Sequence, residues 1–186
     1  MREMLVEQRD VFYYVTAMNE NVPQPSLPAG AHAGVVRGLY RYREASQASG
    51  RRVQLLGAGA ILGEVLKAAD VLAQSHGVAA DVWSVTSFSE LARDGIAAET
   101  AWRHGEADTV DAYLTRQLAP TEGPIVIATD YVRAVPEQIR AFLPAGRRCV
   151  TLGTDGFGRS DTRAALRRHF EVDAGAIVAA TLRALR

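Results

Sequence analysis

Four short runs limit the folds open to this chain more than any other feature: VQLLG at 53–57, VWSVT at 82–86, IVIAT at 125–129 and CVTL at 149–152. Each is dominated by apolar and β-branched residues and is too short for a buried helix. None shows the strict alternation of a strand with one wet face. Strands apolar on both sides belong inside a parallel sheet that is covered on both faces, and CVTL is predicted as the fourth such central strand. The intervals between the runs are helical in period. Residues 61–76 place Ile61, Val65, Leu66, Ala69, Leu72 and Ala73 on one face, and Gly77 supplies a C-terminal stop. Residues 88–102 read as mostly helical with a break at Asp94-Gly95, and 132–142 as a helix ended at Pro144. A short helix is predicted over 163–169, and Asp173 can cap a last helix running to Leu185. The second half of 35–42 alternates like an edge strand before a turn at 46–50, whereas 113–118 does not choose between helix and strand. Together these imply the α/β class: a three-layer sandwich around a mostly parallel sheet of about five strands.

The first thirty residues do not fit that rhythm. VFYYVT at 11–16 reads as a buried strand with no neighbour close in sequence, and an isolated strand cannot satisfy its edges. Three prolines, Pro23, Pro25 and Pro28, follow within six positions and favour a stiff extended connection. The predicted organisation is therefore a terminal strand of a preceding domain at 1–18, a proline-rich linker at 19–33, and the α/β domain at 34–186.

Charge and cysteine content exclude several function classes. With 21 basic and 21 acidic residues the formal net charge is zero, so no long-range field draws in nucleic acid or an anionic membrane. Apolar stretches fall short of the roughly 20 residues of a membrane helix. The first ten residues contain no apolar signal core, and the single Cys149 precludes an intrachain disulfide, which together predict a reducing, cytoplasmic setting.

The motifs point to a rim rather than a reaction centre. GAGAILG at 57–63 follows a strand and opens a helix, but its third glycine is one position late for a dinucleotide fingerprint, which favours a tight turn. His32, His76, His104 and His169 have no metal-ligand spacing, and His76 and His169 suit helix C-termini. No serine lies in a nucleophile elbow, and Cys149 is expected to be an inert strand residue. No catalytic, cofactor-binding or metal-binding residue is predicted. The glycine-rich loop 153–161 is the most unusual segment. In an open parallel sheet it would share the carboxyl-end rim with the loops after the other strands. That makes Ser87, Phe88, Asp130, Tyr131, Asp155, Phe157, Arg159 and Asp161 candidate partner-contact residues. The competing reading is structural, with Ser160 or Asp161 capping the next helix.

Several blocks taken together resemble one family. They are MREM at 1–4, DVFYYVTAMNEN at 10–21, PSLPAG at 25–30, VQLLGAGAIL at 53–62, SVTSFSELARDG at 84–95, LGTDGFGRSD at 152–161 and HFEVD at 169–173. In collinear order they are similar to the carboxy-terminal domain of the homodimeric pyruvate dehydrogenase decarboxylases, a transketolase-like thiamine-diphosphate family. Val22 departs from that pattern, where an aromatic residue is expected, as does the end at Arg186, where the family has a longer tail.

The resemblance implies three α/β domains in the whole enzyme, with thiamine diphosphate and magnesium bound by the first two across a homodimer interface. It also implies the remaining domains and dihydrolipoyl acetyltransferase as partners. The chain lacks a Gly-Asp-Gly segment followed by asparagine at thiamine-magnesium spacing, so no cofactor is expected to bind here and the isolated chain is expected to be inactive. Its implied role is domain and dimer packing within an enzyme that decarboxylates pyruvate and acetylates lipoyl groups. A free-standing interaction module of the same fold, or the equivalent domain of a transketolase, are the alternatives.

Overall fold

A computed structural model describes residues 1–13, 26–45 and 50–186. Its elements, in chain order, are α1 (Arg2–Leu5), α2 (His32–Val36), β1 (Leu39–Arg43), β2 (Arg51–Ala58), a 3-10 turn at Gly59–Ile61, and α3 (Leu62–His76). Then come β3 (Val78–Val85), α4 (Phe88–Arg103), α5 (Tyr113–Leu118), β4 (Ile125–Ala128) and α6 (Ala134–Glu137). A second 3-10 turn at Arg140–Phe142 precedes β5 (Cys149–Leu152), α7 (Arg163–His169) and α8 (Ala174–Ala184).

The five strands form one sheet in the order β1-β3-β2-β4-β5. Strands β2 to β5 run parallel, and β1 pairs antiparallel with β3 along the edge. Side chains alternate across each strand, so the apolar runs feed two cores at once. Leu56, Trp83, Ile125 and Ile127 pack with Leu91, Leu114, Leu118 and Phe142 from the helices of one face. Val53, Leu55, Val82 and Val126 pack with Val65, Leu72 and Ile177 from α3 and α8 on the other. The result is the expected three-layer α/β sandwich.

The α3 stripe lies where the period placed it. Ile61, Val65, Ala69 and Leu72 are buried, and Gly77 closes the helix in the left-handed region at φ 59°. Asp173 caps α8 by accepting the Ala176 N–H at 2.9 Å.

Other elements differ from expectation for identifiable reasons. Strand β3 starts four residues early, because Asp81 is paired inside the sheet rather than ending it. No break interrupts α4. Gly95 is there because Phe142 lies against it: a Cβ at Gly95 would sit 2.3 Å from the ring. The segment 132–142 is a four-residue helix and a 3-10 turn rather than one helix; Pro136, which has no N–H to donate, lies inside it. Strand β5 is an edge strand, pairing with β4 alone among the described strands, and Cys149 is consequently half-buried. Burial still pushes its thiol pKa up, which suppresses the thiolate.

Residues 11–13, the described part of the strand expected at 11–16, are not in a strand, and Phe12 is 87% exposed. The rest of that strand, linker residues 19–25 and turn residues 46–49 lie outside the described residues. Of the predicted linker, residues 32 and 33 already belong to α2, whose Gly34 presses against β1, where a Cβ would meet the Leu39 carbonyl at 2.6 Å.

An ion pair braces the exposed side of β5. Arg140 donates to Glu137, with Nη2 at 2.7 Å, and Nη2 also reaches Thr151 Oγ1 at 3.3 Å. The hydrogen bonds from Arg140 hold the Glu137 carboxyl at about 2, down from 4.5. A carboxyl depressed in the folded state contributes stability above its unfolded pKa and loses it as pH falls through the folded one. Thermal midpoints are therefore expected to fall between pH 4.5 and about 2 more steeply in the native protein than in Glu137→Gln. Parallel curves for the two proteins would refute a stabilising role; the pair is part exposed, so the difference should be modest.

Candidate functional site

Strands β2, β3, β4 and β5 end level. Ala58 pairs with Val85, Gly57 with Ala128, and Ala128 with Leu152, so the loops that follow all emerge along one edge of the sheet. The chain leaves β2 for α3 on one face and leaves the adjacent β4 for α6 on the other. Connections that diverge between neighbouring parallel strands leave a crevice at their carboxyl ends, the place where such sheets bind ligands.

The loops after β4 and β5 are locked together. The Thr154 N–H donates to the Tyr131 carbonyl at 2.9 Å, and Thr154 Oγ1 donates to the Asp130 carbonyl at 2.8 Å. Gly153 permits this approach, because a Cβ there would lie 2.7 Å from the Tyr131 carbonyl oxygen. Asp155 completes the clasp by accepting the Arg133 backbone N–H at 2.9 Å and its guanidinium N–H. These two bonds hold the Asp155 carboxyl below its ordinary range.

Of the sequence-predicted rim residues, Asp130, Tyr131 and Asp155 are brought together by this clasp. Phe157, in the loop after β5, is 94% exposed, and Tyr131 and Val132, in the loop after β4, are half-exposed. Arg159 turns into the crevice wall. Asp161 is exposed and accepts the Thr162 N–H at 2.6 Å. The cap of α7 is Thr162, whose hydroxyl accepts the Ala165 N–H; neither Ser160 nor Asp161 holds that place. Ser87 caps α4, accepting the Glu90 N–H at 3.1 Å, and follows β3, separated from β4 by β2. Phe88 is 4% exposed and belongs to the core, so it cannot serve as a rim contact.

The crevice itself has a volume of about 330 Å³. Ala60 and Ile61 line it from the β2 loop, Asp130 from the β4 loop, and Arg159, Arg163, Arg167 and Phe170 from the end of the chain. Arg163 and Arg167 were not singled out in the sequence, although they stand four residues apart on one face of α7. Glu64 was missed as well. It is buried on α3 and accepts from Lys67 Nζ at 2.9 Å, the Ala174 N–H at 3.2 Å and Arg167 Nη1 at 3.4 Å. Burial alone would raise its pKa, but the Lys67, Ala174 and Arg167 partners together lower it. A charged Glu64 thus ties Arg167 of α7 and the start of α8 to α3.

No helix among the described residues is long and apolar enough to cross a membrane. Nor do the described residues contain a group of three His, Cys, Asp or Glu placed to hold a metal ion.

Residues 38–173 match the family model described as "Transketolase-like TK C-terminal domain". The chain is 47% identical over 185 residues to the pyruvate dehydrogenase E1 component of Pseudomonas aeruginosa, covering 99% of this chain and 21% of that protein. The corresponding proteins of Cupriavidus necator and Escherichia coli K12 are 48% and 46% identical, over 100% and 95% of this chain. The chain spans about a fifth of the length of these curated relatives. Among solved structures, a transketolase variant from Pichia stipitis aligns with 90% of this chain and 20% of its own at a TM-score of 0.57 and 15% identity. Transketolase from Leishmania mexicana aligns with 82% of this chain and 18% of its own at 0.53 and 16% identity. These structures share the fold.

Proposed function

Because this chain belongs to the family of transketolase-like C-terminal domains, we propose that it serves as the carboxy-terminal domain of a pyruvate-decarboxylating, lipoyl-acetylating enzyme, packing against the domains that carry the chemistry. The observation that carries this reading is the alignment at 47% identity through 99% of the chain with a protein named as a pyruvate dehydrogenase E1 component. In this reading thiamine diphosphate and magnesium are held by the other domains of the enzyme. The protein works as a homodimer, in the cytoplasm, with dihydrolipoyl acetyltransferase as the acceptor's carrier. The half-buried, reduced Cys149 suits that compartment.

The contact surface in this proposal is the clasped rim. Tyr131, Val132 and Phe157 expose apolar area on loops whose backbones are fixed by Thr154, Gly153 and Asp155, and a rigid exposed aromatic is the kind of residue that anchors an interface. Asp130, Asp155, Arg159 and Asp161 supply polar groups around it, and Ser87 lies further along the same edge.

The test is reconstitution. Added to a pyruvate dehydrogenase E1 component lacking its transketolase-like C-terminal domain, the chain is expected to restore pyruvate-dependent acetylation of a lipoyl domain. No gain over the shortened enzyme alone would count against the proposal. Phe157→Ser should raise the concentration needed for half-restoration about tenfold or more, the usual effect of removing an interface anchor. Its own thermal midpoint should stay put, because the ring is 94% exposed.

A further inference from the structure

Packing at the clasped rim has a consequence for the crevice that opens beside it. Phe157 stands between Gly156 and Gly158, and both glycines line the crevice. Asp130 and Thr154, which clasp the β4 loop to the β5 loop, line it too. The loop that carries the 94% exposed Phe157 ring is therefore also the crevice wall, and a partner surface that seats the ring lies across the crevice mouth. The floor beneath is apolar: Ile61 follows β2, and Leu166, Phe170 and Val172 come from α7 and the turn after it. A space of about 330 Å³, covered over and left empty, would leave that floor without partner atoms on one side. The cores of protein interfaces are packed as densely as protein interiors, so the partner fills it.

Charge adds a second requirement. Arg163 and Arg167 already have partners within the chain, and nothing is asked of them. Arg159 is exposed and makes no hydrogen bond or ion pair with another described residue. Covering its guanidinium without supplying a carboxylate would cost several times what a paired charge returns. Asp130, on the β4 side of the crevice, is an acceptor for a backbone N–H.

Resting on the packing reading above, we infer that the other domains of the same enzyme fill this crevice with an apolar side chain that stands next to a carboxylate in their sequence. The apolar side chain lies on Leu166 and Phe170, the carboxylate pairs with Arg159, and a backbone N–H of the same segment donates to Asp130. The interface is reciprocal. Phe157 enters the partner, and beside it a partner residue enters this domain, the pairing of anchors found in well-packed interfaces.

The test uses the full 186-residue chain with the shortened enzyme, and reads the concentration that gives half-restored lipoyl acetylation. Ala60 is half-buried and lines the crevice from the β2 side, so Ala60→Trp puts an indole where the partner residue belongs. That concentration should rise about tenfold or more, at an unchanged thermal midpoint of the chain. A crevice that is covered but empty predicts the opposite, since the indole would fill it and tighten docking. Arg159→Glu should weaken docking by about tenfold or more, and Arg159→Lys by less. In the assembled complex, a carbodiimide should join the side-chain amine of the Arg159→Lys chain to an aspartate or glutamate of the partner, which peptide mapping is expected to place beside an apolar residue. A parent chain that restores nothing sinks the packing reading and this inference together. This inference alone is overturned if the parent restores acetylation while Ala60→Trp docks as tightly or more tightly, if Arg159→Glu docks like the parent, or if the cross-link falls in a segment with no apolar neighbour.

Discussion

Replacing Gln54 by methionine is expected to destabilise the protein by about 3 kcal/mol, the sum of several buried polar groups losing their partner. Gln54 is fully buried on β2 and is the hub of a network inside the sheet. Its Nε2 donates to Asp81 Oδ2 at 2.8 Å and to the Glu122 carbonyl at 3.1 Å, and its Oε1 accepts the Trp83 indole N–H at 2.8 Å. Asp81, 1% exposed, also accepts the Ala45 N–H at 2.8 Å and has Arg52 at 3.7 Å. Methionine has nearly the same length as glutamine, so the packing survives while Trp83, Asp81 and Glu122 each lose a bond. Urea unfolding should show a lower midpoint at unchanged slope. Combining the change with Trp83→Phe should cost less than the two single changes added together, since the indole N–H that Gln54 leaves stranded is then gone. A Gln54→Met loss below about 1 kcal/mol, within the range of one ordinary hydrogen bond, would show that the network carries little stability.

A still larger effect is expected of Gly123→Ala, at about 4 kcal/mol or more, the range reserved for forced backbone rearrangement. Gly123 has φ 82°, and a Cβ there would lie 1.8 Å from the Arg52 carbonyl oxygen and 2.5 Å from its carbon. Both are backbone atoms of β2, so no side-chain rotation relieves the overlap. The turn cannot shift alone either. The Pro124 carbonyl accepts the Gln54 N–H at 2.9 Å, and Arg147 ties the Gly123 and Thr121 carbonyls together, the latter at 2.8 Å. Moving Gly123 therefore pulls on the same polar network from outside. Gly105→Ala is the control, since φ is 74° there but nothing lies within 4 Å of the added atom. That substitution should cost only about 1 kcal/mol for the left-handed backbone. Thermal midpoints are expected to separate the two by roughly 6 °C or more at this chain length. Equal shifts would mean that the turn yields.

The rim was legible in outline because a parallel α/β sheet puts its loops on one edge whatever the details. Asp130, Tyr131, Asp155 and Arg159 were found that way. Phe88 was misplaced, because position after a strand does not say whether a side chain turns toward solvent or core. Arg163, Arg167 and Glu64 were passed over since charged residues on helices are ordinarily solvated faces. What distinguishes Arg163 and Arg167 is the crevice they line, and what distinguishes Glu64 is its contact with Arg167 and the start of α8; both are relations between segments far apart in sequence.

Apolar runs and helical periods by themselves determined the class, the number of strands and the α3 stripe, because burial on two faces demands continuous apolarity and burial on one demands a repeat. The same reasoning misread Asp94-Gly95 as a break and Asp81 as lying outside a strand. Local preference disfavours both, and only tertiary partners reverse it: the Phe142 ring fills the space Gly95 leaves, and Gln54 and Ala45 satisfy the Asp81 carboxylate. Strand order was also beyond the sequence. CVTL is as apolar as the central runs, yet it forms the edge of the sheet. The order β1-β3-β2-β4-β5 opens the crevice between β2 and β4, and it follows from which helix covers which face, something no window of neighbouring residues contains.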